Sequence, residues 1–531
     1  MNGPAVGGAP KPAIGGNAMS DRVDAVVIGA GLGGLAAAVT LAGAGRSVVV
    51  LDRQPGPGGY ARCFTRGPYR FDASLRALSG LAPGGGWDGL YADLGIWHRL
   101  SLRRLDPLYR LRLPGAEIVA HADWYRYEAE LVEAFPAEAD GIRGYLDEVL
   151  AVYHDLRRMR QDQAAHHGPD MEAFSERYPA AMRVLTQTWD QMMARHVSDP
   201  RARSALGALW GYLGLPPGRC SAQVGAGVTG SYHEHGGWYP AGGSQSLTDA
   251  LADVLRERGG TLLFSQVVSG IEWQDSHIAA VTTSEGLRLA ADTVISGASA
   301  PATMLDLVGR DRLPAEYAAR VAAPAPSNPT FAVYLGLDRD IFAEQDLGHE
   351  LLLAGSPDAA GAWRASQRGD WQSAAITVTD YAGADPGCAP HGQAAVVITV
   401  PAAWEYQDTW GTGGDLAGYH DNPRYLAAKE QVADALVARA ARDLPGLDDA
   451  IRYLEASTPL TNFDYTGNPR GAIEGYENSP EYSGAALLPQ ETPVPNLYLA
   501  GAWTTSGGMN AVLASGARAA ALTLQRHPAH T

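Results

Sequence analysis

Cysteine is almost missing from this chain. Three residues, Cys63, Cys220 and Cys388, stand far apart among 531, and their number is odd. That excludes a disulfide framework and a CxxC-type metal knot, and it leads us to expect a reducing, cytoplasmic setting. Positive charge is also short: 41 Lys and Arg against 58 Asp and Glu leave a formal charge of −17. A nucleic-acid partner is not expected, because phosphate binding rests on neutralisation by Lys and Arg. Charged residues of both signs make up only 19% and apolar ones 46%, the balance of a globular chain with disorder confined to its ends. The first twenty residues lack a charged segment followed by an apolar stretch, so 1–20 read as a disordered tail and not as a secretory signal. Two charge-free runs of 21 residues, 25–45 and 497–517, are long enough to cross a bilayer. Clustered glycines interrupt both near the front. The first opens with Ala25-Val26-Val27-Ile28 and breaks at Gly29, which predicts a strand, a glycine turn and a buried helix instead of a span.

Glycine, by contrast, is abundant at 63 residues, with no collagen-like period. Such an excess suits tight turns and close backbone approach to a ligand. After the strand at 24–28 comes Gly29-Ala30-Gly31-Leu32-Gly33-Gly34, which places GxGxxG on Gly29, Gly31 and Gly34. Residues 35–44 have helical composition, and a second strand at 47–51 ends at Asp52, 18 residues past Gly34. Strand, glycine turn, helix, strand and terminal acid in this order form a dinucleotide fingerprint. The glycines provide the turn, the approach to pyrophosphate and close helix packing, and the acid meets ribose hydroxyls. The helix N-terminus adds oriented N–H groups for the phosphates.

Gly58-Gly59 follow Asp52 by six and seven residues. This extension resembles the two-dinucleotide-binding motif of glutathione-reductase-like flavoproteins and so implies FAD. Gly56 and Cys63 depart from it, standing where that group often has Arg and Ser or Thr. Further segments narrow the likeness. Tyr69-Arg70-Phe71-Asp72-Ala73-Ser74 resembles the FDxG segment of phytoene desaturases, with Ser74 in place of glycine. Gly237-Trp238-Tyr239-Pro240-Ala241-Gly242-Gly243 resembles their YPxGG turn. Asn496-Leu497-Tyr498-Leu499-Ala500-Gly501 and Gly507-Gly508-Met509-Asn510-Ala511 resemble the closing strand and last helix. Ser457-Thr458-Pro459-Leu460-Thr461-Asn462, with Gly467-Asn468-Pro469-Arg470-Gly471, looks like a block of the carotenoid isomerase and retinol saturase branch, as does Trp404-Glu405-Tyr406. Thr505-Ser506 replace the His-Pro often found before the last glycines.

The resemblance implies an α/β fold: a Rossmann-like FAD-binding domain, glutathione-reductase-like, with an inserted α+β substrate domain. Pieces 21–100, 236–315 and 456–531 would form the first; 101–235, mostly helical, and 316–455, with strands at 330–335 and 394–400, would form the second. The implied FAD contacts are Gly29, Gly31, Leu32, Gly33, Gly34, Asp52, Arg53, Gly58, Gly59, Tyr60, Val267, Val268, Gly501, Ala502, Met509, Asn510 and Ala511. The implied activity is a flavin-dependent desaturation, saturation or cis–trans isomerisation of a long apolar polyene or isoprenoid, carotenoid- or retinoid-like. Two other readings stay open. One is a flavin amine oxidase or an oxidase of a compact secondary metabolite, motivated by Thr505-Ser506. The other is a flavin- or isoprenoid-binding protein without turnover.

Candidate catalytic side chains are Glu234, Asn462, Tyr465 and Arg470. Glu234 belongs to His233-Glu234-His235, whose spacing does not put both imidazoles on one helical face; polar loop residues are the default there, and no metal site is expected. Trp238, Tyr239, Trp503 and Met509 would line an apolar tunnel or pack in the core. Trp87, Tyr91 and Trp97, with Leu90, Leu94 and Ile96, suit a packed amphipathic helix better than a membrane-facing rim, the one sign of a peripheral membrane contact. His166-His167 read as solvated. Cys63 reads as a packing residue.

Overall fold

The computed structural model describes residues 22–164 and 174–527; the tail at 1–20 and His166-His167 lie outside the described residues. The β-branched run Arg22–Ile28 forms the central strand of a seven-stranded sheet. Val48–Asp52 and then Thr261–Phe264 pair in parallel on one side of it, and Arg288–Ser296 on the other. His277–Thr283 and Val268–Gln274 continue that edge antiparallel. Leu497–Leu499, from the far end of the chain, pairs in parallel with the last residues of Arg288–Ser296. Four of the central strand's seven residues, Ala25 to Ile28, are buried in succession, because helices cover both faces of a parallel sheet.

The helix Leu32–Gly43 returns from the first glycine turn and is buried on nearly every side, as its Ala-rich sequence requires. The last helix, Met509–Arg526, crosses it through glycine: a Cβ added at Gly516 would stand 2.0 Å from the Gly33 carbonyl oxygen. The run at 497–517 is therefore strand, glycine turn and the first half of this helix. Among the described residues no helix is long and apolar enough to cross a membrane.

A second seven-stranded sheet runs in the order Ile451–Ser457, Thr330–Leu337, Ala394–Pro401, Ile376–Asp380, Glu350–Leu353, Tyr109–Leu113, Ala116–Ala120. Its last two strands come from 101–235, a segment that is otherwise mostly helical. Tyr109-Arg110-Leu111-Arg112-Leu113 alternates apolar and basic, and the burial follows with period two. The remainder of that segment is helical, chiefly Ala139–Ala164 and Ala222–His235. These two helices also cross through glycine, at Gly230, where a Cβ would meet the Tyr153 ring at 2.5 Å. Tyr91, Leu94 and Ile96 are buried, and the Tyr91 hydroxyl donates to Asn510 Oδ1 at 2.7 Å. That segment packs inward and offers no aromatic rim.

Candidate active site

The first glycine turn is fixed by close backbone contacts. Gly29 has φ +96°, and its amide donates to the Leu51 carbonyl at 2.7 Å. A Cβ on Gly34 would lie 2.0 Å from the Gly29 carbonyl oxygen. Gly34 thus packs beneath the turn, while Gly31 and Gly33 face a cleft. The helix that starts at Leu32 has Gly31 as its N-cap, no side-chain cap and no acid in its first turn. Its first amides are left for an anion. Asp52 ends the neighbouring strand. Its Oδ2 accepts from the Ala30 amide at 2.6 Å and its Oδ1 from the Gln54 amide at 2.7 Å. Burial pushes its carboxyl up, against the pull of these bonds and of Arg62 and Arg53. Gly58 donates to the Ala30 carbonyl at 3.0 Å and bridges to Gly31, so the Gly58-Gly59 extension folds back over the turn.

At the other end, Gly501 donates to Ser515 Oγ at 3.0 Å, and its Cα is 2.8 Å from where a Gly33 Cβ would stand. The helix Met509–Arg526 begins at Gly508, again without a side-chain cap or an early acid. Two uncapped helix N-termini therefore open into one cleft of about 1160 Å³. That exceeds the roughly 300–1,000 Å³ of ordinary ligand sites. Its walls fit a dinucleotide lying between the two glycine turns: bare amides, a terminal acid and no side chain in the way.

All the sequence-derived FAD contacts line this cleft except Gly34, which is a packing glycine. At Val267 both backbone groups are engaged, the amide by Glu285 and the carbonyl by Ser284, leaving its side chain and Val268 to face the cleft. Asn510 is likewise occupied: its amide nitrogen donates to the Ser79 carbonyl at 2.8 Å. Part of the cleft forms an apolar chamber. Leu156, Met182, Leu185, Val224, Val228 and Leu487 make it apolar, with Trp503, Thr505, Ser506 and Met509 at its near end.

Asn462 and Tyr465 line the cleft; Asn462 Nδ2 donates to the Thr330 carbonyl at 3.3 Å, and Tyr465 sits half exposed. Two candidates are corrected. Glu234 lies on the helix Ala222–His235, not in a loop, and turns away from the cleft to pair with His154 at 2.8 Å. Arg470 is half exposed and pairs with Glu405. The neighbouring His233 is fully buried: its Nδ1 lies 2.9 Å from the His121 carbonyl, its ring stacks on Tyr127 at 3.6 Å, and burial pulls its pKa down to about 4. Neutral imidazole packed this way is structural. Trp238 and Tyr239 also stay outside the cleft. The Tyr239 hydroxyl donates to Asp72 Oδ2 at 3.1 Å. Asp72 is buried and also accepts from the amides of Ser74, Leu75 and Ser244 and from the Ser244 hydroxyl. This carboxylate ties the segment at 69–74 to the turn at 237–243. Cys63 packs against the same carboxylate, which together with burial raises its thiol far above the usual range.

Sequence reasoning missed several ionisable residues in the chamber wall, Arg76 and Glu474 among them. Both were readable as ionisable residues set among small and apolar neighbours, Ser74-Leu75-Arg76-Ala77 and Ala472-Ile473-Glu474-Gly475. Burial pushes the Glu474 carboxyl up to about 8.

Comparison with known proteins agrees with this geometry. Residues 32–524 match the family described as flavin containing amine oxidoreductase. The phytoene dehydrogenase of Streptomyces griseus is 29% identical over 522 residues, covering 93% of this chain and 94% of its own. The chloroplastic prolycopene isomerase 2 of an Oncidium hybrid cultivar is 26% identical over 465 residues, covering 85% and 75%. Among solved structures, an oxidoreductase from Methanosarcina mazei superposes with a TM-score of 0.60 at 18% identity, covering 93% of this chain and 99% of that one. The chain belongs to the flavin-containing amine oxidoreductase family, and the coenzyme of its cleft is FAD.

Proposed function

We propose that this flavoprotein acts on a long apolar conjugated chain, a carotenoid- or retinoid-like polyene, by desaturation, saturation or cis–trans isomerisation. One observation carries the reading: the nucleotide cleft runs without interruption into an apolar chamber roofed by the helices Ala139–Ala164 and Ala222–His235. The polyene-named relatives in a plant and in Streptomyces support it. FAD, when bound, supplies hydride exchange. The chain's own residues do the rest. With FAD bound, the amides at Gly31–Gly33 and Met509–Ala511 would hold its anionic and polar edges, and Asp52 would receive its ribose. Leu156, Met182, Val224 and their neighbours exclude water from the chamber, which keeps charge on the polyene from being quenched. Asn462, Thr505 and Ser506 offer polar contacts at the coenzyme end of the chamber.

The test is anaerobic incubation of the holoprotein with carotenoids, retinoids and primary amines. Flavin absorption and product mass are then read. A polyene product changed by −2, +2 or 0 mass units identifies the reaction type. Flavin reduction by amines alone overturns the reading in favour of an amine oxidase.

A further inference from the structure

One charge in the cleft wall is unanswered. Arg160 lies on the helix Ala139–Ala164, one turn past Leu156, and both residues line the cleft. Its guanidinium lies over the Trp87 ring, 4.7 Å from the centroid, and Trp87 lines the same cleft. Arg160 is half-buried and makes no hydrogen bond or ion pair to any described residue, and none of its nitrogens is sealed from the accessible surface. Other arginines of this helix are engaged. Arg143 pairs with Glu128 and Asp140, Arg158 pairs with Asp155, and Arg157 donates to the Gly84 carbonyl. Burial opposes the Arg160 charge, and so does Arg157, of the same sign and one turn back.

Trp87 shows where this charge stands. A Cβ on Gly80 would meet both Trp87 Cδ1 and Ser231 Oγ at 2.7 Å, so the indole packs on the Gly80 backbone beside Ser231. The neighbouring Ser79 carbonyl accepts from Asn510 Nδ2 at 2.8 Å, and Asn510 is the second residue of the helix Met509–Arg526. The guanidinium is thus parted from the coenzyme end of the cleft by one indole ring and the backbone at 79–80. A guanidinium does not shed its proton in a protein, so this charge persists at every working pH. Among apolar wall residues an unpaired charge is costly, and contact with one indole offsets only part of that cost. The dipole of its own helix does not account for it, because Arg160 falls short of the last turn.

We propose that Arg160 receives a carboxylate carried by the substrate, so that the polyene is an acid rather than a pure hydrocarbon. This rests on the polyene reading above and narrows it. A guanidinium offers a carboxylate two parallel N–H bonds, and the Trp87 ring beneath holds that planar fork in one orientation. The anion also relieves the repulsion between Arg157 and Arg160. An apolar chain slides freely along an apolar wall. Tied at one end to Arg160, it brings the same double bonds to the coenzyme at each binding event.

The test titrates the holoprotein anaerobically at about pH 8, where a carboxylic acid is ionised, with all-trans-retinoic acid and with its methyl ester. The ester keeps the shape and loses the charge. Dissociation constants are read from the polyene and flavin absorption. The acid should bind about a hundredfold more tightly than the ester. Arg160→Met should bring the two to near parity by weakening the acid alone, with flavin content unchanged. Arg160→Lys, which keeps the charge without the fork, should retain about a tenth of the preference. If Arg160→Met fails to fold, the wild-type comparison and Arg160→Lys still decide the matter. A wild-type protein that binds acid and ester equally, or an Arg160→Met variant that keeps the full preference, overturns the proposal. If acid and ester bind alike and perturb the flavin, this inference falls and the polyene reading stands. If neither binds nor perturbs the flavin, the polyene reading falls and takes this inference with it.

Discussion

One methyl group at residue 34 decides whether the first turn can close. With a Cβ 2.0 Å from the Gly29 carbonyl oxygen, Gly34→Ala must move backbone, not a flexible side chain. Such overpacking costs about 1–3 kcal/mol. The variant should melt lower by differential scanning fluorimetry and be purified with less than half the flavin absorption of the wild type. Asp72→Ala should be more severe, about 3 kcal/mol or more, because it strands the Leu75 and Ser244 amides and the Tyr239 hydroxyl in the core. Urea unfolding would measure it. Glu474 makes a pH prediction. Its carboxyl is raised by burial from 4.5 to about 8, so the folded protein binds a proton that the unfolded chain has released above pH 4.5. Stability is therefore fully present below pH 4.5 and is lost as pH rises through 8. Burial lifts the nearby Cys220 thiol and Tyr232 phenol well above their ordinary values, so neither titrates in that window. Asp380, raised to about 7, contributes the same sign, so Glu474→Gln should flatten the alkaline fall in melting temperature only in part.

Two glycine crossings between helices have different consequences. Gly516 lets Met509–Arg526 lie on Leu32–Gly43, the two helices whose N-termini face the coenzyme. Gly230 lets Ala222–His235 lie on Ala139–Ala164, the two that roof the chamber. Gly516→Ala should lower flavin retention and the melting temperature together, by about 1–3 kcal/mol of stability. Gly230→Ala should lift the roof, leave flavin content unchanged and alter which polyene lengths bind, read by absorption titration. The first crossing could be inferred from sequence, since GxGxxG demands a close helix and the closing run ends in glycine-rich turns. The second could not, because Gly225, Gly227 and Gly230 match no motif and acquire meaning only from Trp189, Leu156 and Tyr153 opposite them. Tyr109–Leu113 shows the reverse failure. Its alternation was plain, but it sits in a segment dominated by helices and pairs with Glu350–Leu353, far along the chain.

For the molecule as a whole, local signals located the coenzyme groove almost residue by residue. Each contact is a backbone group next to a glycine or a strand end, and such positions carry their constraint in the residue itself. The chamber was far less legible. Its walls come from at least seven separated stretches, around Arg76, Leu156, Met182, Val224, Glu474, Leu487 and Trp503, and no local pattern joins them. Glu234 and Arg470 misled for the same reason: an ionisable residue within a motif-rich segment has no direction until the chain is folded, and these two turn outward to His154 and Glu405.

The strand Leu497–Leu499 and the helix Met509–Arg526 complete a groove whose other half is made near residue 30. During synthesis the first half leaves the ribosome long before the second exists. A nascent chain stalled before residue 497 should therefore emerge colourless even with FAD in excess. Colour should appear only once Met509–Arg526 can pack on Leu32–Gly43, so coenzyme loading follows the closing of the groove rather than seeding it.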